Sequence, residues 1–183
     1  MKGFGLMNMK GFDVNKSSGI LLDIGCGETK QSDRFVGLDK RDLPGVDIVW
    51  DLEKFPYPLP DESCLTIIGS HIYEHIKPWL SIDFLNELWR IMMPDGGLAL
   101  SMPYGVSTGF VQDPTHCNPA NQATFQYFDP RFPLYRIYKP KPWLMSYGFP
   151  VWQATGNMEV LMNKISVERA EEIMKGIEDA KKR

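Results

Sequence analysis

The sequence predicts an α/β fold in which a doubly wound, mostly parallel sheet of seven strands ends in an antiparallel hairpin. Short apolar runs, most of them closed by glycine or an acidic residue, alternate along the chain with polar loops and an amphipathic helical segment. Consecutive parallel strands need such crossovers, whereas Thr155-Gly156-Asn157 lies between two strand-like segments and indicates a hairpin. At 183 residues, the chain is expected to form one domain, 1–183, with its own hydrophobic core.

The first predicted strand is Ile20-Leu21-Leu22-Asp23-Ile24, which runs directly into Gly25-Cys26-Gly27. An apolar run bounded by glycine is typical of a buried parallel strand. Glycines at its carboxyl end allow a ligand to approach the backbone, and nucleotide-like ligands bind at this edge of open α/β sheets. Cys26 is interpreted as a small residue between two glycines and not as a nucleophile.

Four further strands and one helix complete the parallel part of the predicted sheet. The apolar segments that predict these strands are residues 35–38, 46–50, 65–70 and 98–102. Helical spacing of apolar residues predicts a helix over 82–93, which Pro94-Asp95-Gly96-Gly97 ends. Only eleven residues separate Gly27 from Asp39, so any helix in the first crossover is limited to one or two turns.

The remaining segments lie at the ends of the chain and in one long insertion. They are a loose amino-terminal arm (1–18), a substrate-side insertion rich in proline and aromatic residues (104–142), two hairpin segments (143–154 and 159–165) and a carboxyl-terminal helix (166–183). Ser166 is the predicted N-cap of that helix, and its acidic residues come early and its lysines late, which complements the helix dipole.

Composition and charge exclude several classes of protein. A net charge of −3 and a pI near 5.6 argue against a broad nucleic-acid-binding surface. The three cysteines form no CxxC pair, which favours reduced thiols and a cytoplasmic location over disulfides or a zinc site. No run approaches eighteen apolar residues, so neither a membrane-spanning segment nor a secretion signal is expected.

Two acidic residues mark the carboxyl ends of neighbouring predicted strands. Asp39 follows the second strand and Asp51 the third. Because adjacent strands lie about 4.8 Å apart, both carboxylates are expected beside the glycine loop. A carboxylate after the second strand suits the two hydroxyls of a ribose, and one after the third can accept from the exocyclic amine of adenine. The predicted ligand therefore contains adenosine.

The glycine loop distinguishes between two kinds of adenosine ligand. A dinucleotide-binding loop has the pattern GxGxxG with an acid about 20 residues later, whereas this loop lacks the third glycine and Asp39 comes too early. Glu28 would also repel a pyrophosphate. A nicotinamide-linked Rossmann oxidoreductase is therefore the disfavoured alternative, and the acid-lined loop suits a cationic sulfonium.

Five segments carry a resemblance to a known family. They are Leu21-Leu22-Asp23-Ile24-Gly25-Cys26-Gly27, Val36-Gly37-Leu38-Asp39, Trp50-Asp51-Leu52-Glu53, Ser70-His71-Ile72-Tyr73-Glu74-His75-Ile76 and residues 87–97. The first three resemble the successive motifs of class I S-adenosylmethionine-dependent methyltransferases, and the last two are similar to the small methyltransferase-domain-11 group. The resemblance covers about residues 19–104. It implies a Rossmann-like methyltransferase fold and S-adenosyl-L-methionine as cofactor.

By that resemblance, ten residues are expected to bind the cofactor. They are Asp23, toward the amino group of the ligand; Gly25, Cys26 and Gly27, under its methionine part; Asp39 at the ribose, with its neighbour Lys40; Asp51 and Leu52 at the adenine; and Ser70 and His71 at the pocket floor.

The predicted catalytic residues lie in the insertion, in Gln112-Asp113-Pro114-Thr115-His116-Cys117-Asn118-Pro119. Asp-Pro and Asn-Pro form turns, so a purely structural loop is the alternative. The family places substrate-facing groups here, and His116, oriented by Asp113, is expected to act as general base or to position a small-molecule O or N acceptor for in-line attack. An aromatic lid that excludes water is expected from Tyr104, Phe110, Phe125, Tyr127 and Phe128.

Two histidines raise the question of a metal ion. His71 and His75 are four residues apart, as in metal-binding helices. Because the sequence offers no third ligand nearby, packing is the favoured interpretation and no metal is predicted.

The short first crossover predicts that one sheet face is exposed. The amino-terminal arm, a second copy of the chain or a partner subunit is expected to cover it. A catalytically silent methyltransferase-like binding subunit is therefore an alternative to the enzyme.

Overall fold

The computed structural model of the chain describes residues 19–146, 151–152 and 156–182, and the predicted arm at 1–18 lies outside them. The strands are β1 (Ile20–Ile24), β2 (Val36–Asp39), β3 (Ile48–Val49), β4 (Cys64–Ser70), β5 (Met92–Pro103), β6 (Trp143–Met145), β7 (Val151–Trp152) and β8 (Asn157–Lys164). The α-helices are α1 (Ser81–Ile91), α2 (Thr108–Val111), α3 (Tyr135–Tyr138) and α4 (Val167–Lys181), and short 3-10 helices span Tyr73–His75, Pro78–Leu80 and Thr124–Phe128.

The strands form one mixed sheet in the order β3-β2-β1-β4-β5-β8-β6. Strands β1 to β5 are parallel, and β8 runs antiparallel to β5. One edge of β8 pairs with β5, and its other edge pairs with β6 and β7 at successive positions along the strand. Since β6 and β7 share one place beside β8, the sheet is seven strands wide. Val151 pairs with Glu159 and Trp152 with Met158, which makes the terminal hairpin. The predicted seven-stranded fold is confirmed.

The end of α1 and the start of β5 differ from the prediction. The helix ends at Ile91, and β5 already begins at Met92, six residues before the predicted strand. Cys64 pairs with Met92 and Thr66 pairs with Gly97. Between these two pairs β4 advances by two residues and β5 by five, so β5 contains a bulge. Asp95 in this bulge has a φ of +59°. The Pro94–Gly97 turn is therefore present, but it is a bulge inside the strand.

One face of the sheet carries the hydrophobic core. Register places Leu22, Ile67 and Leu98 in one row on this face, and all three are almost fully buried. The apolar side of α1 is buried in the same core through Phe84, Leu85, Leu88 and Ile91. Alternate residues of each strand point to the opposite face.

The opposite face is only partly covered by the described residues. Asp23, Ile68, Ala99 and Leu161 form one register row there, and a groove of about 640 Å³ runs over them. We call it the open-face groove; Ser70, Ser101 and Glu159 also line it. The crossover 25–35 contains turns and no helix, whereas the sequence allowed one or two helical turns. A crossover this short has no helix to lay across the sheet.

The insertion at 104–142 packs onto the core instead of forming a free loop. Ala120, Phe125, Phe128 and Tyr135 are buried, and the Phe125 ring lies 5.3 Å from that of Tyr73. The prediction of an aromatic lid is therefore wrong for Phe125 and Phe128, which are core residues. None of the helices among the described residues is long and apolar enough to cross a membrane.

Candidate functional site

A groove of about 510 Å³ lies at the carboxyl ends of β1, β2 and β4. We call it the strand-end groove. It is lined by Gly25, Asp39, Lys40, Arg41, Asp51, Leu52, Glu53, His71, Ile72, His75, Ile76 and Thr115. Six of the ten residues predicted to bind the cofactor, namely Gly25, Asp39, Lys40, Asp51, Leu52 and His71, thus line one cavity. Its volume lies within the range of about 300–1,000 Å³ that is usual for small-molecule sites.

The glycine loop forms one wall of the strand-end groove. Gly25 has a φ of +68°, and a Cβ at this position would lie 2.8 Å from the side chain of Ile72. Gly27 also has a positive φ, and its N–H donates to Oδ2 of Asp39 at 3.0 Å. The loop therefore needs residues without a side chain, and it folds back over the end of β2.

Asp39 is already engaged by the neighbouring residue Arg41. The backbone N–H of Arg41 and its Nε donate to Oδ1 at 2.9 and 3.1 Å, and Nη2 donates to Oδ2 at 3.3 Å. Burial opposes ionisation of Asp39, but the hydrogen bonds from Arg41 and Gly27 outweigh it and hold the pKa of the carboxyl below its usual value. The Arg41 side chain is 60% exposed, so it can move away without breaking the core.

The segment after β3 forms the far wall. Oδ1 of Asp51 accepts from the N–H of Glu53, which closes a tight turn, and Leu52 is buried. Glu53 in turn accepts from the backbone N–H of Lys77 at 2.8 Å and from its Nζ at 2.6 Å. This bridge ties the loop after β3 to the segment after β4. Asp51 is thereby held beside the groove.

Three predicted cofactor residues line the open-face groove instead. Asp23, Cys26 and Ser70 contribute to it, and Gly25 borders both cavities. Asp23 is 7% exposed, and its Oδ2 accepts from the N–H of Gln31 at 2.8 Å. Burial raises the pKa of the Asp23 carboxyl, although Gln31 opposes the rise. The structure therefore separates these three side chains from the group around Asp39.

Cys26 has the properties of an unreactive thiol. Burial, followed by the charges of Asp23 and Asp39, raises its pKa to about 11. A thiol with this pKa is protonated at neutral pH, and the thiolate is the nucleophilic form. This favours its interpretation as a small filler residue.

All three histidines of the chain lie around Glu74, which no sequence pattern singled out. Oε1 of Glu74 lies 3.0 Å from Nδ1 of His71 and 4.0 Å from Nε2 of His116. The rings of His75 and His116 pack edge to face with their centroids 4.8 Å apart. We call Glu74, His75 and His116 the histidine cluster.

His116 is held from behind by a backbone carbonyl. Its Nδ1 lies 2.9 Å from the carbonyl oxygen of Phe110, which can only accept, so Nδ1 carries the proton and Nε2 has the free lone pair. The carboxylate of Asp113 is 3.8 Å from Nε2 and instead accepts from the N–H and hydroxyl of Thr115. Hydrogen bonds from Thr115 lower the pKa of Asp113. Asp113 was predicted to orient His116, but in this structure the backbone carbonyl of Phe110 does so.

The turn that carries His116 is docked on the segment after β4. The backbone N–H groups of Cys117 and Asn118 donate to the carbonyl of Glu74, and Nδ2 of Asn118 donates to the carbonyl of Tyr73 and to Ser81. These contacts bring two segments together that lie about forty residues apart. Because His75 and Thr115 line the strand-end groove, the histidine cluster borders the predicted cofactor site.

The order and directions of the strands are those of a Rossmann-like methyltransferase fold. No family model matches the sequence, and no curated protein matches it significantly. A solved S-adenosylmethionine-dependent methyltransferase from Archaeoglobus fulgidus is 16% identical, with 86% of this chain and 88% of that chain covered and a TM-score of 0.57. One from Aquifex aeolicus is 14% identical, with coverages of 80% and 82% and a TM-score of 0.53.

A third similar structure is a complex with two ligands. Phosphoethanolamine N-methyltransferase 1 from Haemonchus contortus, in complex with phosphoethanolamine and S-adenosylhomocysteine, is 15% identical, with 89% of this chain and 44% of that chain covered and a TM-score of 0.53. At such identities these similarities establish the fold alone. Membership of the small domain-11 group stays a prediction.

Two residues of the site were missed by the sequence reasoning. Arg41 follows the ribose-type acid by two positions, a spacing at which a long side chain can fold back onto a carboxylate. Glu74 lies between His71 and His75 in the sequence, so this segment already contained a carboxylate close to two histidines. What the segment could not show was that His116 would complete the group.

Proposed function

We propose that this protein is an S-adenosyl-L-methionine-dependent methyltransferase that acts on a small-molecule O or N acceptor. The observation that carries the proposal is the convergence of Gly25, Asp39, Asp51-Leu52 and His71 on one cavity at the carboxyl edge of the sheet. Gly25 borders this cavity with its backbone and packs against Ile72, where a Cβ would lie only 2.8 Å from that side chain. Carboxylates along the groove suit a ligand with a cationic sulfonium and an amino group.

Within this proposal each wall of the strand-end groove has its own task. Asp39 accepts the ribose hydroxyls after Arg41 has moved aside, and Asp51 accepts from the adenine amine. Gly25 and Gly27 allow the methionine part to lie against the backbone. The cofactor supplies an electrophilic methyl group. Methyl transfer is an in-line displacement, so the protein contributes chiefly by positioning the acceptor.

His116 is the proposed general base for this reaction. Its side chain is 8% exposed and its Nε2 has a free lone pair directed to the side of Glu74 and Asp113. A base in this position accepts the acceptor proton as the oxygen or nitrogen attacks the methyl carbon. The Asp113 carboxylate, 3.8 Å away, stabilises the imidazolium that forms.

Calorimetry with S-adenosylmethionine, S-adenosylhomocysteine and NAD tests the choice of cofactor. Binding of both S-adenosyl ligands and none of NAD is expected. Asp39→Asn is expected to weaken S-adenosylhomocysteine binding about tenfold or more, since hydrogen bonds to a charged group contribute about 1.5–3 kcal/mol each. Asp33→Asn, an exposed acid outside both grooves, is the matched control. Binding of NAD alone would contradict the proposal.

A methyltransferase-like binding subunit is the second candidate. The open-face groove favours it, because a partner subunit or a second copy of the chain could cover Ile68, Ala99 and Leu161. The molar mass in solution and an acceptor screen with labelled methyl groups separate the two functions. Cofactor binding without transfer to any acceptor would favour the binding subunit. The cytoplasmic location stays a prediction from the cysteine pattern.

A further inference from the structure

The histidine cluster has the composition and spacing of a metal site. Glu74, His75 and His116 each offer one ligand atom, and these atoms all lie within 4.8 Å of one another. Ligands of a tetrahedral zinc ion lie about 3.3–3.5 Å apart, given bonds of about 2.0–2.1 Å. Small side-chain rotations are therefore enough to close the site around an ion. The third ligand absent from the local sequence is supplied by the insertion.

Glu74 provides an independent sign that a cation belongs here. The residue is 1% exposed, and its Oε2 is a buried oxygen without a hydrogen-bond partner among the described residues. A buried carboxylate oxygen without a partner is unfavourable and rare in folded proteins. Since Oε1 is the oxygen that faces His71 and His116, a metal ion bound by both oxygens of this carboxylate removes that penalty.

Both histidines are also held in the tautomer that a metal ligand needs. Nδ1 of His116 donates to the carbonyl of Phe110 at 2.9 Å, which leaves Nε2 as the free donor atom. The hydroxyl of Thr115 donates to Asp113 at 2.7 Å and therefore accepts from Nδ1 of His75 at 3.2 Å. His75 is thus left with a free Nε2 as well. Metal-binding histidines are typically oriented by such a hydrogen bond at the other ring nitrogen.

We propose that Glu74, His75 and His116 bind one divalent first-row transition-metal ion, with Zn²⁺ as the best-fitting candidate. Two imidazoles and one carboxylate suit this class of ion, and three protein ligands leave a position open. His75 and Thr115 line the strand-end groove, so the proposed metal site borders the proposed cofactor site. The three proposed ligands, Glu74, His75 and His116, are outside the ten predicted cofactor residues, so a metal ion would add a second binding site at this edge of the sheet.

A role for the ion in catalysis rests on the proposed methyltransferase function. With the ion bound, Nε2 of His116 is a metal ligand and no longer serves as the general base, so the ion replaces that role. An acceptor hydroxyl bound at the open position then loses its proton to solvent more easily, because the cation stabilises the oxyanion. That oxygen then forms a bond to the methyl carbon while the carbon–sulfur bond breaks. The electron pair of that bond stays on sulfur, which leaves as a neutral thioether.

Metal binding can be tested without any methyl acceptor. The full-length protein is stripped with a chelator and titrated with Co²⁺, with visible d–d absorption as the readout, and then with Zn²⁺ in competition. One equivalent is expected, with intense bands of a low-symmetry site. His116→Gln and Glu74→Gln are expected to lose at least about 100-fold in Co²⁺ affinity, and Thr115→Val about tenfold, as for residues that orient a ligand.

Cys117→Ser is the matched control. Its thiol is close to the cluster and, within the described part of the chain, hydrogen-bonds to the carbonyls of His75 and Ile76, so metal affinity should not change. Near-ultraviolet circular dichroism and S-adenosylhomocysteine binding report whether each variant is folded.

Three results would overturn the metal site. They are the absence of Co²⁺ bands in the wild-type protein, unchanged affinity in folded His116→Gln, and a loss of binding in Cys117→Ser. Metal binding in a protein that does not bind S-adenosyl ligands would contradict the proposed function and leave the metal site standing. Binding of S-adenosyl ligands without metal binding would contradict the metal site and leave the proposed function standing.

Discussion

Both carboxylate oxygens of Asp39 accept hydrogen bonds from the guanidinium of Arg41, at 3.1 Å from Nε and 3.3 Å from Nη2. These are the oxygens that the proposed function assigns to the ribose of the cofactor. Because Arg41 is largely exposed, solvent screens this ion pair and makes it a weak one. Arg41 is therefore a competitor that a ligand can displace at small cost.

Arg41→Ala is expected to tighten S-adenosylhomocysteine binding by up to about fivefold, because the ligand no longer has to displace the ion pair between Arg41 and Asp39. Isothermal titration calorimetry measures the change. Arg34→Ala, an exposed arginine on the preceding loop, should leave the affinity unchanged. Weaker binding by Arg41→Ala would mean that the guanidinium holds the ligand instead of competing with it.

Asp39 is expected to make stability depend on pH in the acid range. Its carboxyl has a lower pKa in the folded protein than in the unfolded chain, where it is about 3.9. Its contribution is therefore complete above the unfolded pKa and is lost as the pH falls through the folded one. Urea unfolding at a series of acid pH values should show a shallower loss of stability in Asp39→Asn than in the wild type. Parallel curves for the two proteins would contradict this.

Gly25→Ala is expected to destabilise the fold by about 1–2 kcal/mol or more, because the position needs a left-handed φ of +68° and its Cβ would lie 2.8 Å from Ile72. Gly176→Ala in α4 is the matched control, since no atom lies within 4 Å of its Cβ position. That variant should gain about 0.5–1 kcal/mol from helix propensity. Thermal unfolding measures the stability change of both variants, with a loss expected for Gly25→Ala and a gain for Gly176→Ala. An unchanged stability of Gly25→Ala would show that the loop can relax.

His116→Ala is expected to lower the rate of methyl transfer to the true acceptor by about 10²–10⁴-fold if the histidine is a general base. The KM for S-adenosylmethionine should change little, because His116 does not line the strand-end groove. Unchanged transfer would exclude the base, and a matching rise in cofactor KM would indicate a structural role. Asp113→Asn should give a smaller loss, since its carboxylate lies 3.8 Å from the imidazole.

Much of the fold could be predicted because it depends on local pattern. Apolar runs closed by Gly25 or Asp39 located β1 and β2, and Ser166 was recognised as the N-cap of α4, where its side chain accepts from Arg169. The interior of β5 was harder. Pro94–Gly97 has the composition of a turn, and only the pairing with β4 shows that the strand continues through it.

The sequence by itself determined which residues meet at the carboxyl edge of the sheet, since parallel strands bring their ends together whatever the loops do. Asp39 and Asp51 could be assigned to one cavity on that basis, and His71 was assigned to it by the family resemblance. The tertiary structure alone decided which sheet face each side chain occupies, so Asp23 and Ser70 line the other groove. It also placed His116 against Glu74, because docking of two segments about forty residues apart depends on packing and buried hydrogen bonds that no local pattern encodes.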